Sequence, residues 1–255
     1  MGKIIAITNQ KGGVGKTTTS VNLAAALAMA QRKVLLVDID PQGNAAMGCG
    51  VDKEHVAYSS CNLLLDKIPV SETIIEQKQC GFSIIPGNSD LTAAEVQLMS
   101  AENRERRLAE ALEPIKDQFD YILIDCPPAL NMLTLNAMVA AHSVLIPMQC
   151  EYYSLEGLSA LMSTLRNIQT VNPGLHLEGI LRTMFDNRSR LTKDVSDQLL
   201  EYFKDKVFRT CIPRNIRLAE APSHGLPVIM YDKASRGAVA YIALAGELIR
   251  KEKEE

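Results

Sequence analysis

Residues 11–18, Lys-Gly-Gly-Val-Gly-Lys-Thr-Thr, place three glycines, two lysines and two threonines in one short stretch. Gly12, Gly13 and Gly15 let backbone N–H groups gather around an anion with no Cβ to hold it off. Lys16 offers a compact charge for the β- and γ-phosphates of a nucleotide, and Thr17 a hydroxyl for Mg²⁺. A helix beginning near Lys16 adds the partial positive charge of its N-terminus. The pattern G-x-x-x-x-G-K-[ST] asks for glycine at position 10, where this chain has Gln10, and an additional lysine, Lys11, follows. Lys11 lies just outside the cradle and does not easily reach the same phosphates from its own chain. It is either a solvated surface charge or a cation delivered across a dimer interface. In the second case it neutralises transition-state charge as an arginine finger does, and makes nucleotide binding and dimerisation one event.

The acids come next. Asp125 ends the apolar run Tyr121-Ile-Leu-Ile, the form expected of a carboxylate that holds Mg²⁺ through water. Asp38 and Asp40 flank Ile39, so on an extended chain they point the same way. Asp40, followed by Pro41-Gln42-Gly43-Asn44, is the residue expected to activate the attacking water, and Thr17, Asp40 and Asp125 form the expected metal set. Asp38 is expected to support the Mg²⁺ shell or the phosphate loop; the alternative is that both aspartates only cap the next helix.

Alternating apolar and helical runs must position these groups. Strands are expected near 3–8, 33–38, 82–86, 120–125, 143–147, 176–184 and 207–212, and helices near 16–31, 90–100, 103–117, 131–140, 154–171, 191–203 and 234–251. Val34-Leu-Leu-Val and Tyr121-Ile-Leu-Ile are apolar without alternation, as strands covered on both faces are. The expected fold is α/β: a mainly parallel twisted sheet with helices on both faces, residues 1–255 forming one domain. The acids and lysines of 8–11, 38–40 and 125–127 then sit at carboxyl ends of strands and converge on one ligand.

With 255 residues and 47 % hydrophobic content the chain can bury a large core. No apolar run reaches the roughly 18 residues of a membrane span, and Met1-Gly2-Lys3-Ile4 runs into the first strand without a leader pattern. Six cysteines without a C-x-x-C pair read as reduced thiols filling the core of a cytoplasmic protein. The net charge of −3 argues against nucleic acid, but its distribution is uneven. Residues 1–181 carry 13 Lys/Arg against 19 Asp/Glu (−6), and residues 182–255 carry 14 against 11 (+3), an asymmetry that can mark a surface for an anionic partner.

The run Lys11–Thr18, the segment Asp38-Ile-Asp-Pro-Gln-Gly-Asn44 and Asp125-Cys-Pro-Pro128 resemble the deviant Walker-A ATPases, and within them the ParA/Soj chromosome-partitioning group of P-loop NTPases. Gln149–Gly157, Ile212–Asn215 and Glu220–Gly225 are similar to that group too, so the resemblance covers nearly the whole chain. It implies that residues 11–18 (with Val14 and Thr18) bind ATP–Mg²⁺, that Lys11 acts in trans, that Lys16 holds phosphate and that Asp40 serves hydrolysis. Pro213 and Asn215 are implied to lie against adenine, with Asp186 a further base contact. The group forms ATP-sandwich homodimers that bind double-stranded DNA without sequence preference and are stimulated by a centromere-binding ParB-like protein. That implies a cytoplasmic, nucleoid-associated protein and gives the basic C-terminal part a use: Arg188, Arg190, Arg217, Arg250 and Lys251 are the expected phosphate contacts.

Two other classes use the same loop. A membrane-surface ATPase of the MinD type needs a C-terminal amphipathic helix, whereas this C-terminus ends in mixed charge with four glutamates among its last nine residues. An iron–sulfur reductase needs paired cysteines in glycine-rich loops, and Cys126, directly after Asp125, is poorly placed. Tyr152 and Tyr153 are expected to pack within their loop, His142 to be a satisfied core residue, and Arg104–Arg107 to form a solvated helix face.

Overall fold

The computed structural model describes residues 2–65 and 68–254. Among these residues eight strands form one sheet: β1 Lys3–Ile7, β2 Val34–Asp38, β3 Ile75–Gln77, β4 Phe82–Ile85, β5 Tyr121–Asp125, β6 Ser143–Gln149, β7 His176–Phe185 and β8 Val207–Pro213. Their order is β3-β4-β2-β5-β1-β6-β7-β8, and every pairing is parallel except that of the edge strand β3. The helices are α1 Lys16–Met29, α2 Asn44–Gly48, α3 Ser60–Leu65, α4 Leu91–Leu98, α5 Arg107–Leu112, α6 Met132–Ala140, α7 Ser154–Ile168, α8 Arg190–Phe203, α9 Ile216–Glu220, α10 Val228–Tyr231 and α11 Arg236–Glu254.

The unbroken apolar strands are explained by two cores, one on each face of the sheet. Ile4, Ala6, Leu35, Val37, Ile122 and Ile124 point into the layer shared with α3 to α8. Their neighbours Ile5, Ile7, Val34, Leu36, Tyr121 and Leu123 point into the layer shared with α1, α2, α10 and α11. Because successive side chains leave opposite faces of a strand, a strand covered on both sides must be apolar at every position.

Where the observed elements depart from expectation, the reason is local. The helix expected over 103–117 shrinks to α5 followed by a 3₁₀ turn at Glu113–Ile115. Asn103 at φ 50° breaks it on one side, and Pro114, which cannot donate a backbone hydrogen bond, breaks it on the other. The arginine cluster 104–107 is therefore mostly turn rather than helix face. Strand β3 and the short helices α2, α3, α9 and α10 went unpredicted, being too short for periodicity to register. The last helix, expected to end near residue 251, runs on through Glu254, with Glu252 and Lys253 exposed. Leu244 and Leu248 of α11 are buried in the second core, so the helix's apolar side is already occupied by protein. Among the described residues no helix is long and apolar enough to cross a membrane.

Candidate nucleotide and metal site

The sheet order sets β1 between β5 and β6, so the loop after β1 emerges beside the carboxyl ends of both neighbours. Gly13 and Gly15 adopt φ of 72° and 88°, left-handed conformations that cost glycine little. Gly15 caps α1 without a side-chain hydrogen bond, leaving the first-turn N–H groups free to face an anion. The loop is braced from β6 and β7. Asn9 donates from Nδ2 to the Pro147 carbonyl (2.8 Å) and accepts from the Lys11 amide (3.0 Å), while the Thr183 hydroxyl donates to the Val14 carbonyl (2.7 Å).

Lys16 is buried and its Nζ donates to the Lys11 carbonyl (3.3 Å), curling over the loop. Burial lowers its pKa, opposed by the nearby Asp125, Cys126 and Asp40. Asp125, fully buried, accepts from Ser20 Oγ at Oδ1 (2.7 Å), while its Oδ2 has no hydrogen-bond partner among the described residues. Burial pushes its pKa up to about 6, although the Ser20 and Thr17 hydroxyls pull it down. An unpartnered buried carboxylate oxygen beside a threonine hydroxyl is an expensive arrangement that a divalent cation, or water bound to one, relieves. The residues present therefore fit Mg²⁺. Of the expected metal set, Thr17 and Asp125 are brought together directly, and Asp40 is near enough for its charge to act on both Asp125 and Lys16.

Asp38 departs from expectation. Among the described residues its carboxylate bonds to backbone amides rather than to the phosphate loop: Oδ1 accepts the Asp40 amide (3.1 Å) and Oδ2 the Ala46 amide (3.0 Å). Its carbonyl accepts the Ser60 hydroxyl (2.6 Å), and a Cβ on Gly87 would collide with it. Asp38 thus fixes the 40–46 loop and the start of α2, which is the helix-capping alternative. Burial, with Asp125 beside it, pushes its pKa well above the usual carboxylate range. Asp40 itself accepts the Gln42 amide (2.9 Å), forming the turn that presents it.

Lys11 points away from the cradle and pairs with Glu151 at 2.5 Å, the two side chains being 42 % and 51 % exposed. Sequence reasoning missed Glu151, which lies 140 residues away in the loop after β6. Tyr152 and Tyr153 follow it and stack edge to face, each 73 % exposed; they do not pack within the loop as expected. His142 is half-buried and satisfied, its Nδ1 accepting the Ile4 amide (3.0 Å).

Gly15, Thr18, Thr183, Met184, Pro213 and Asn215 line a cavity of about 230 Å³ next to the loop, which suits a purine. Met184 holds φ 48° at its wall, a conformation sparsely populated by residues other than glycine. Asp186 is not among the residues lining it. Both its oxygens accept from Arg188 (2.9 Å each), which holds its pKa down at about 2, and it lines the adjoining cavity of about 920 Å³, which shares Pro213 and Arg214 with the first.

The expected basic contacts divide. Arg188 lines that larger cavity together with Arg214 and Arg236, two residues absent from the expected set. Arg250 and Lys251 line another, with Lys204 and Arg209. Arg190 is exposed and pairs loosely with Asp194 (3.9 Å). Arg217 is committed to Glu220 (2.8 Å) and Asp232 (3.3 Å), and Lys251 donates to the Asp205 carbonyl and lies over the Phe208 ring. Both are less available to an outside phosphate than their sequence positions suggest.

A glycine-rich loop between a central parallel strand and a helix N-terminus, with an acid ending the neighbouring strand, defines a P-loop nucleotide hydrolase. Residues 2–177 match the AAA domain family. The chain is 53 % identical to the sporulation initiation inhibitor protein Soj of Bacillus subtilis, over 97 % of this chain and 98 % of that one. It is 50 % identical to the chromosome partitioning protein ParA of Myxococcus xanthus, over 99 % and 89 %. Among solved structures it resembles cobyrinic acid a,c-diamide synthase from Mycobacterium smegmatis with bound ADP and magnesium, with a TM-score of 0.87 and 36 % identity, over 99 % of this chain and 96 % of that one. The chain belongs to the ParA/Soj family of chromosome-partitioning ATPases, and it is an ATPase.

Proposed function

We propose that this ATPase is a nucleotide-timed dimer switch on DNA. ATP lies with its base in the cavity beside Pro213 and Asn215 and its phosphates over residues 11–18. Mg²⁺ is held by Thr17 and, through water, by Asp125. Two protomers meet across their phosphate loops, and each Lys11 leaves Glu151 to reach the partner's phosphates. The paired basic surfaces around Arg188, Arg214 and Arg236, with Arg250, then contact the backbone of double-stranded DNA. Pairing doubles the number of phosphates neutralised, and affinity rises steeply with that number. Asp40, presented by Asp38, orients the attacking water. Lys16 neutralises charge that develops on the phosphates, a metal held by Thr17 and Asp125 would supply further positive charge there, and hydrolysis dissolves the dimer. A centromere-binding ParB-like protein is the stimulator, and the nucleoid the place of action.

One observation carries this reading: a second, exposed lysine beside an otherwise complete phosphate cradle, its side chain held among the described residues by a surface ion pair. The test is gel filtration of Asp40→Ala with ATP–Mg²⁺, with and without DNA. A dimer that co-elutes with DNA at low salt is expected. A protein that stays monomeric with ATP–Mg²⁺ at tens of micromolar refutes the switch.

A further inference from the structure

Cys49 and Cys80 are far apart in sequence, and their spacing signals nothing. In the fold they meet inside the core layer that holds α1, α2 and α11. The Cys80 thiol donates to the Cys49 carbonyl oxygen (3.6 Å), the two side chains are close enough for each to shift the other's pKa, and both residues are buried. We propose that Cys49 and Cys80 form a redox-active dithiol, which closes to a disulfide under peroxide and slows ATP hydrolysis by restraining the Asp40 loop.

The two cysteines belong to different parts of the fold. Cys80 sits in the β3–β4 turn, its amide bonded to the Gln77 carbonyl (3.0 Å), with Gly81 bonded to the same carbonyl (2.9 Å), so it is fixed to the sheet. Cys49 is the residue that ends α2. That helix is one turn and a half long, and its first residue, Asn44, closes the segment that Asp38 pins at Asp40 and Ala46. A pull on Cys49 is therefore felt along a short rigid lever by Asp40. The chain has little freedom on the far side. Gly50 and Gly225, at φ 74° and 63°, cross so closely that a Cβ on Gly225 would lie 2.7 Å from Gly50 Cα. Shortening a thiol contact to an S–S bond of about 2.05 Å must then be absorbed on the α2 side.

The chemistry has a direction. The neighbouring Cys49 side chain holds the Cys80 thiol below its ordinary pKa, while Cys80 and burial push Cys49 well up, so Cys80 is the attacking sulfur. With hydrogen peroxide as oxidant, Cys80 sulfur bonds to one peroxide oxygen and the O–O bond breaks. One water leaves, and Cys80 becomes a sulfenic acid. Cys49 sulfur then attacks Cys80 sulfur, the S–O bond breaks, and the second water departs with the Cys49 proton. The two sulfurs together give two electrons to the peroxide, and a dithiol reductant reverses the change. Peroxide is small enough to enter during local opening of the layer.

The slowing of hydrolysis rests on the reading of Asp40 given above, whereas the disulfide does not. The full-length protein is treated with hydrogen peroxide while folded and mapped by mass spectrometry without reduction. Single-turnover ATP hydrolysis and nucleotide affinity are measured on the same sample. A Cys49–Cys80 crosslinked peptide is expected, with hydrolysis slowed roughly fivefold or more and nucleotide affinity changed less than about twofold. Dithiothreitol should restore the rate, and Cys49→Ser and Cys80→Ser should each be insensitive to peroxide. Absence of the crosslinked peptide overturns the proposal, as does a crosslinked protein that hydrolyses ATP as fast as the dithiol form. Failure of the Asp40 reading shows separately, as undiminished hydrolysis by untreated Asp40→Ala.

Discussion

Replacing Glu151 by glutamine should tighten the ATP-dependent dimer, and the structure sets the size of the effect. Lys11 Nζ is paired with Glu151 at 2.5 Å, with both side chains about half exposed. A pair in that setting contributes about 0.2–1 kcal/mol, because water screens the attraction and two long side chains must be held still. Each protomer breaks one such pair when Lys11 moves to its partner, so a dimer forgoes about 0.4–2 kcal/mol. Glu151→Gln removes that cost and should lower the dimer dissociation constant by about twofold to thirtyfold. The assay is sedimentation equilibrium with ATP–Mg²⁺ in an Asp40→Ala background, which keeps hydrolysis from draining the dimer. The gain should fade in 0.5 M salt, where the Debye length falls to about 4 Å. An equal or weaker dimer at low salt refutes the reasoning, because it means that Glu151 does not restrain Lys11.

Other outcomes follow from the same geometry. A Cβ on Gly12 meets nothing within 4 Å, so Gly12→Val should leave thermal stability within about 0.5 kcal/mol yet abolish the ATP-dependent dimer by blocking the partner; a normal dimer in sedimentation contradicts this. Asp125 has a folded pKa of about 6 against the ordinary 3.8, so the folded state keeps its proton longer. Without metal, stability should be highest below pH 4 and fall by up to about 3 kcal/mol as pH rises to 6. Urea titrations of Asp125→Asn should show a flatter pH slope, with Asp38 supplying what remains, and Mg²⁺ should restore wild-type stability most at neutral pH. Asp38→Asn puts an amide donor where two backbone N–H groups need acceptors. It should cost about 1–3 kcal/mol in urea and lower the hydrolytic rate more than nucleotide affinity; an unchanged rate in a folded variant contradicts the positioning role. Arg214→Ala and Arg236→Ala should weaken DNA binding and reduce the salt slope by about 0.9 for each phosphate that the dimer no longer neutralises, whereas Arg217→Ala should cost mainly local stability.

The amino-acid sequence determined the chemistry that adjacent residues carry. Lys11 to Thr18 could be read as a cradle because its glycines, lysines and hydroxyls act within one turn of chain. Asp125 could be read because an acid ending an unbroken apolar run marks the carboxyl end of a buried strand. The parallel sheet was legible for the same reason, since burial on both faces forces every residue of β2 and β5 before its terminal acid to be apolar. Tertiary structure alone decided which distant groups meet. Glu151 reaches Lys11 only because β6 lies beside β1, and Arg236 joins Arg188 only where α11 packs on the last strands. Asp38 turned inward to the 40–46 amides although its spacing from Asp40 suggested a shared direction, because the chain leaves extended geometry at the strand end. Cys49 and Cys80 became neighbours through the same long-range packing. Local sequence fixes what a side chain can do; its partner is chosen by contacts between segments whose separation along the chain leaves no periodic trace.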